Sequence, residues 1–180
     1  MKKTLMTLAA VLCCAMTTTV FTSCGDDDND EKTVTDDSPV AVELQYSLTV
    51  TDQMLDAMKL TAEYYDASGQ LQSEQVTAEQ WTKTIKPRIP ASIGLRLKAV
   101  MKDGANVDGI SSFKLTQNWA ISYTMVSASG KQLGTGMEKD AVSATMAGDK
   151  VAAYLDKKGN VLVNVNYDVD DKGQFTYVRK

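Results

Sequence analysis

The feature that most constrains this chain is an alternation of apolar and polar residues, with a period of two, that begins near residue 40. Successive side chains of a strand point to opposite faces, so each such segment predicts a strand with one dry and one wet face. The pattern recurs at 44–50, 58–64, 95–101, 113–126 and 161–169. These segments predict a protein built from antiparallel strands whose apolar faces pack against each other.

A repeated turn motif joins the alternating segments. Asp66–Gly69, Asp156–Gly159 and Asp170–Gly173 all have the form D-x-x-G, and Ser127–Gly130 is a variant. Asp or Ser at the first position caps the amides of a type I turn, and glycine takes the left-handed position of the bulge that follows. The motif is therefore typical of β-hairpins.

Helix signals are few. Residues 150–157 are rich in helix formers and follow Asp149, a candidate cap, so a short helix is favoured there over a strand that leads into the next turn. Residues 52–57 predict one helical turn. Pro87 and Pro90 belong at an edge or in a connection, because proline cannot donate to a central ladder.

Residues 40–180 are expected to form one domain of seven to nine short strands and at most one short helix. This content predicts an all-β, antiparallel sandwich or barrel. The architecture resembles an immunoglobulin-like β-sandwich, with Trp119 pointing inward from a long central strand. The cysteine pair of that fold is missing, so the resemblance concerns architecture alone. A small up-and-down β-barrel with a ligand cavity is the alternative.

The charge of the chain is concentrated in one short block. The net charge is −4, from 19 basic and 23 acidic residues, and seven of the acids lie in residues 26–37. Residues 38–180 then hold 16 basic and 16 acidic residues, without the basic excess of a nucleic-acid-binding surface. Histidine is absent and there are three cysteines, which excludes a histidine-based triad, a histidine-ligated metal and a disulfide-dense scaffold.

Residues 1–23 have the order of a secretory signal peptide. Lys2 and Lys3 are followed by an uncharged stretch, 5–21, of the size of a signal-peptide apolar region. A transmembrane helix is one alternative, but it needs about 20 apolar residues and this stretch contains four threonines. A buried helix of the mature domain is another, which the basic start and the abrupt change at Cys24 disfavour.

The stretch ends in Phe21-Thr22-Ser23-Cys24, an apolar residue and two small residues before a cysteine. This sequence resembles the lipobox of bacterial lipoproteins. The resemblance implies cleavage before Cys24, a diacylglycerol on its sulfur and a fatty acid such as palmitate on its new amine. Two or three acyl chains would anchor the protein firmly to a membrane.

An acidic run, Asp26-Asp27-Asp28, follows the cysteine closely. Such a run is typical of a solvated tether. At this position it resembles the surface-export signal of lipoproteins in some Gram-negative gut anaerobes. The resemblance implies an outer-membrane lipoprotein that faces the cell exterior, with an anchor on the periplasmic face as the alternative. Residues 24–39 would then be the lipidated cysteine and its tether.

The loops that suggest catalytic or metal chemistry each fail on a residue. Read as a calcium loop, Asp168–Gly173 would need an oxygen ligand at its fifth position and Glu at its twelfth, where this chain has Lys172 and Arg179. For the acidic loop 103–109, a plain polar loop is favoured over a weak surface calcium site. Gly134-Thr-Gly136 lacks the third glycine of a dinucleotide fingerprint. We expect no catalytic residue, no cofactor and no metal.

Two aromatic residues are the candidates for ligand binding. Tyr64 and Tyr65 must point to opposite faces of a strand, and Tyr64 shares its parity with apolar Leu60, so Tyr65 points outward. Trp81 lies in a polar stretch, 79–83, which makes it a candidate for an exposed ligand-binding residue, although closure of one end of the core is favoured over binding. An exposed Trp with a Tyr is typical of a platform on which a sugar ring stacks.

Three functions are compatible with these features. The first is a non-catalytic surface module that binds a ligand such as glycan, which exposed aromatic residues on a shallow face would favour. The second is a structural or assembly lipoprotein that binds another envelope protein, which an apolar patch or an unpaired edge strand would favour. The third is a hydrolase, which would need a closed pocket with facing carboxylates.

Overall fold

A computed structural model describes residues 37–179, which form an antiparallel β-sandwich with two short helices. Residues 1–36, with the predicted signal peptide, Cys24, the acidic run and most of the tether, lie outside the described residues. The strands are β1 (Pro39–Thr49), β2 (Met58–Tyr65), β3 (Leu71–Val76), β4 (Gln80–Ile85), β5 (Ala91–Met101), β6 (Phe113–Ser127), β7 (Gln132–Met146), β8 (Val161–Val169) and β9 (Phe175–Tyr177). The helices are α1 (Asp52–Ala57) and α2 (Val151–Lys157).

The strands form two sheets. The four-stranded sheet has the order β4-β1-β6-β7, and the five-stranded sheet has the order β3-β2-β5-β8-β9. Every strand pair is antiparallel. The predicted all-β sandwich is confirmed, and the sheets do not close into a barrel. The strand order differs from the ABED and CFG sheets of immunoglobulin domains, so the likeness to that fold is one of architecture alone.

The core lies between the sheets and is built from the alternating segments. Leu44, Tyr46 and Leu48 point inward from β1, and Leu95 and Leu97 face them from β5; all five are at most 1% exposed. The Tyr46 hydroxyl spans the two sheets, because it accepts the Gly94 N–H at 3.4 Å and donates to the Tyr65 carbonyl at 3.5 Å. The two dry faces therefore meet as the alternation predicts.

Three of the four turn motifs form hairpins. Gly69, Gly130 and Gly173 join β2 to β3, β6 to β7 and β8 to β9, each with φ near +80°. The hairpin prediction is wrong for Asp156–Gly159, which ends α2 and leads into β8, in agreement with the helix favoured over 150–157. Gly159, at φ +62°, donates its N–H to the Asp156 carbonyl at 2.8 Å and stops the helix. The left-handed glycine serves a helix end as readily as a hairpin.

The helices agree with the sequence in place and differ in detail. Thr51 caps α1 by accepting the Met54 N–H at 3.3 Å, where the sequence predicted one helical turn. Helix α2 confirms the helix favoured near 150–157, but Asp149 does not cap it, because this residue lies in the 3₁₀ turn that precedes Val151. Helix α1 is the helical turn expected at 52–57, and α2 is the short helix expected near 150–157.

Candidate functional site

Tyr65 lies on the outer face of the five-stranded sheet, as its parity predicted. Its ring is half-buried because it covers Gly94 on the neighbouring strand β5. The Cε2 atom of Tyr65 lies 3.2 Å from the position that a Cβ at residue 94 would occupy. Leu71, the residue opposite Tyr65 on β3, is 56% exposed. An aromatic ring and an exposed leucine therefore lie side by side on an open sheet face.

A row of polar side chains extends from this ring across the same face. The Asn166 side chain donates to Asn164 Oδ1 at 3.2 Å, and the Arg96 Nε atom donates to the same oxygen at 3.3 Å. Glu63, 8% exposed, accepts from Arg96 at 3.3 Å and from Lys98 at 2.7 Å. We call Tyr65, Glu63, Arg96, Asn164 and Asn166 the Tyr65 face. It combines a stacking surface with fixed amide, guanidinium and carboxylate groups.

Trp81 does not join this face. It pairs with Leu48 of β1, so its side chain points inward, where it is half-buried against the core. Its ring centroid lies 5.7 Å from that of Tyr64, and its indole N–H donates to Glu74 Oε2 at 3.3 Å. The expectation that the Trp81 ring is exposed is wrong. It closes one margin of the core, which was favoured over ligand binding.

The margin that Trp81 closes is held by a polar cluster around Glu74. Glu74 of β3 accepts a hydrogen bond from Tyr64 at 2.6 Å and pairs with Lys83 of β4 at 2.5 Å, which links the two sheets. The hydrogen bond from Lys83 is the main cause that lowers the pKa of the Glu74 carboxyl, and the same bond raises the pKa of Lys83. Burial is the main cause that raises the pKa of Tyr64. The polar atoms of this cluster bond one another, so the cluster joins β3 to β4 across this margin.

Two other concavities lie on the outer face of the four-stranded sheet. Two shallow hollows of about 630 and 490 Å³ adjoin along β1, β6 and β7. Their outward-facing side chains include the small polar residues Ser47, Asn118, Ser122 and Thr135, together with the larger Glu43, Met137 and Lys139. These two hollows offer hydroxyl groups but no outward-facing aromatic ring, so they lack the stacking surface that the Tyr65 face provides.

The opposite margin of the sandwich carries residues that sequence reasoning did not single out. Phe175 of β9 stacks on Tyr123 of β6 at 4.1 Å, and Tyr167 contacts both Phe175 and Tyr177. Tyr177 shares the inward parity of Tyr167 and yet is 54% exposed. The sandwich is therefore open at this margin. The sequence signal for these residues is Phe175-Thr-Tyr177 after the last turn, but a strand of three residues is too short to show an alternation of polarity.

Neither a metal site nor a membrane-spanning helix is found in residues 37–179. Within residues 37–179, no three His, Cys, Asp or Glu side chains are grouped so that they could hold a metal ion. No helix in that range is long and apolar enough to cross a membrane. Comparison with protein-family models, with curated proteins and with solved structures gives no match.

Proposed function

We propose that this protein is a lipid-anchored binding module that faces the cell exterior and performs no chemistry itself, and that its ligand is a glycan. The observation that carries the proposal is the Tyr65 face, where a half-exposed ring lies beside a row of amide and charged side chains. The lipobox-like sequence ending at Cys24 and the acidic run Asp26 to Asp28 support the anchor and its orientation. We propose no catalytic residue, cofactor or metal.

The chemistry of the face suits a sugar. The C–H face of a pyranose packs on an aromatic ring, here Tyr65, and its hydroxyls pair with planar amides and with guanidinium groups, here those of Asn164 and Arg96. The cross-strand bonds hold these groups in place, which reduces the entropy lost on binding. An open face excludes little water, so we expect an affinity in the micromolar range or weaker.

Calorimetry against a panel of plant, host and microbial polysaccharides tests this proposal. We expect Tyr65→Ala to abolish the binding of whichever polysaccharide the unsubstituted protein binds. Tyr177→Ala is the matched control, because Tyr177 is an exposed tyrosine of the same sheet at the open margin. Equal loss in both variants, or no binding across the panel, would contradict the assignment.

The anchor and its orientation have their own test. Intact-mass spectrometry of membrane-extracted protein should show a chain that begins at an acylated Cys24, and Cys24→Ala should leave the precursor uncleaved. Protease added to whole cells should cut the protein. Replacement of Asp26, Asp27 and Asp28 by alanine should protect it while it stays in the membrane fraction. Equal cleavage of both forms would mean that the acidic run is a tether alone.

Another envelope protein is the second candidate ligand. The observation that favours it is the edge strand β7, which pairs with β6 on one side and with no strand of residues 37–179 on the other. A long free edge is a template for a further strand. This candidate needs the same anchor but a different binding surface.

A further inference from the structure

Strand β7 presents an unusually long free edge. It has 15 residues, whereas strands in globular proteins usually have about five or six. Two of its apolar side chains are open to solvent, Met137 at 55% and Val142 at 39%. Every second residue of an edge strand directs its N–H and C=O away from the sheet. Within the described part of the chain, those groups have no strand to pair with.

The same strand carries exposed carboxylates on its inward side. Glu138 lies opposite Ile121 and Asp140 opposite Trp119, and both partners have inward parity. Both carboxylates are nevertheless exposed, and neither forms an ion pair in residues 37–179. The charge of Glu138 also contributes, after burial, to the raised pKa of Tyr167 across the margin. Asp140 Oδ1 does accept the Ala141 N–H at 2.7 Å. Two negative charges without an ion-pair partner in residues 37–179 therefore stand at alternate positions beside the open margin.

The facing sheet is incomplete on the same side. Strand β9 pairs with β8 at Tyr167, Asp168 and Val169. At 161–165, the side of β8 that faces away from β5 has no strand partner in residues 37–179. The side chain of Gln117 reaches that edge and donates to the Leu162 carbonyl at 3.4 Å. Its Oε1 atom is buried and has no hydrogen-bond partner within residues 37–179. Each sheet thus ends in a free edge at the open margin.

A second copy of this chain is disfavoured at the β7 edge in the registers that bring Glu138 or Asp140 to the twofold axis. When two β7 strands pair antiparallel about a twofold axis, residues of the same face stand opposite each other. A register centred on 138 places Glu138 against Glu138, and one centred on 140 places Asp140 against Asp140. A register centred on 139 places Lys139 against Lys139 and Glu138 against Asp140. Each of these registers opposes like charges, which destabilises a strand pair.

The tether of this chain fits no better. Residues 24–37 hold seven acids and one base, Lys32, so they repel Glu138 and Asp140. An extended segment with basic side chains at alternate positions has the complementary pattern, since residues i and i+2 of a strand share a face. Its charges would meet the two carboxylates while its backbone completes the ladder.

We infer that β7 binds, by strand addition, an extended segment of a partner protein with Lys or Arg at positions i and i+2. The ladder hydrogen bonds supply affinity and the alternate side chains supply specificity. Met137 and Val142 then contact the partner rather than water. This inference deepens the second candidate function and is independent of the glycan proposal.

Fluorescence anisotropy with labelled nine-residue peptides tests the inference on the full chain in detergent. The probe alternates lysine with valine, and a glutamate–valine peptide is its charge control. The lysine peptide with every backbone amide methylated keeps its charge but cannot form the ladder. We expect binding of the unmodified lysine peptide alone. A photoreactive version should crosslink within residues 132–146.

Matched variants separate the β7 site from the overall charge. Glu138→Lys with Asp140→Lys should weaken binding about tenfold, since two cross-strand charge pairs become repulsive. Asp103→Lys with Asp108→Lys makes the same change of net charge in an exposed loop and should leave binding unchanged. Equal loss in both variants, binding of the methylated peptide, crosslinks outside β7, or no binding of the lysine peptide would each overturn the inference. Tyr65→Ala should leave peptide binding intact, which separates this result from a failure of the glycan proposal.

Discussion

The inward position of Trp81 makes a measurable prediction about stability. Truncation of a fully buried Trp to Ala costs about 3–5 kcal/mol, and Trp81 is half-buried, so its packing contributes about 2 kcal/mol. The bond from its indole N–H to Glu74, at 3.3 Å, adds up to about 1 kcal/mol. We therefore expect Trp81→Ala to lower the free energy of unfolding by about 2–3 kcal/mol. For a domain of this size that lowers Tm by about 7–10 °C.

Urea unfolding and calorimetric melting of three variants measure this effect. Trp81→Phe keeps most of the ring contact with Tyr64 and removes the N–H, so it should cost about 1 kcal/mol. Tyr177→Ala, at a side chain 54% exposed, should cost less than Trp81→Ala. A Tm for Trp81→Ala within about 2 °C of the unsubstituted protein would refute the reasoning and return Trp81 to the surface.

Three further predictions follow from single contacts. Hydrogen bonds, above all the one from Ser68, lower the pKa of Asp66 to about 2. The stability that ionised Asp66 contributes is present above its unfolded pKa near 4 and is lost as the pH falls toward 2. An NMR titration of the Asp66 carboxyl measures this pKa. Gly136→Ala should destabilise the domain by about 1–3 kcal/mol, because its Cβ would overlap the Tyr123 ring. A cycle with Tyr123→Ala should show non-additive costs. Glu63→Gln should lower the free energy of unfolding by about 1–2 kcal/mol, because the side chain loses its charge beside Arg96 and Lys98. The loss should be smaller in 1 M salt, and urea unfolding at two salt concentrations measures it.

The strands that could be predicted from the sequence are those whose two faces lie in different environments, one buried and one exposed. Strands β1, β2, β5 and β8 each bury one face and wet the other, so their residues alternate in polarity. Strand β7 has both faces largely exposed, so burial imposes no alternation on it. The strand with the free edge was therefore the hardest to predict.

The error at Trp81 has a related cause. The inward positions of β4 are Trp81, Lys83 and Ile85, and the lysine in the middle makes this stretch read as polar. A charge can point inward at a margin because the margin is open to solvent and to a partner on the facing sheet. Here that partner is Glu74, which is close in space through the packing of the sheets. No single-strand pattern contains that contact.

The prediction for Tyr65 shows where sequence reasoning ends. Adjacent Tyr64 and Tyr65 had to take opposite faces, and the apolar parity of β2 decided which one is outside. What Tyr65 meets there depends on pairings with strands far along the chain, which bring Gly94 and Asn166 under and beside its ring. Gly94 has no side chain, and that absence is what lets the ring lie on the sheet. A surface such as the Tyr65 face arises from an outward residue and a missing Cβ on another strand. Strand polarity predicts the first component, and only the tertiary fold supplies the second.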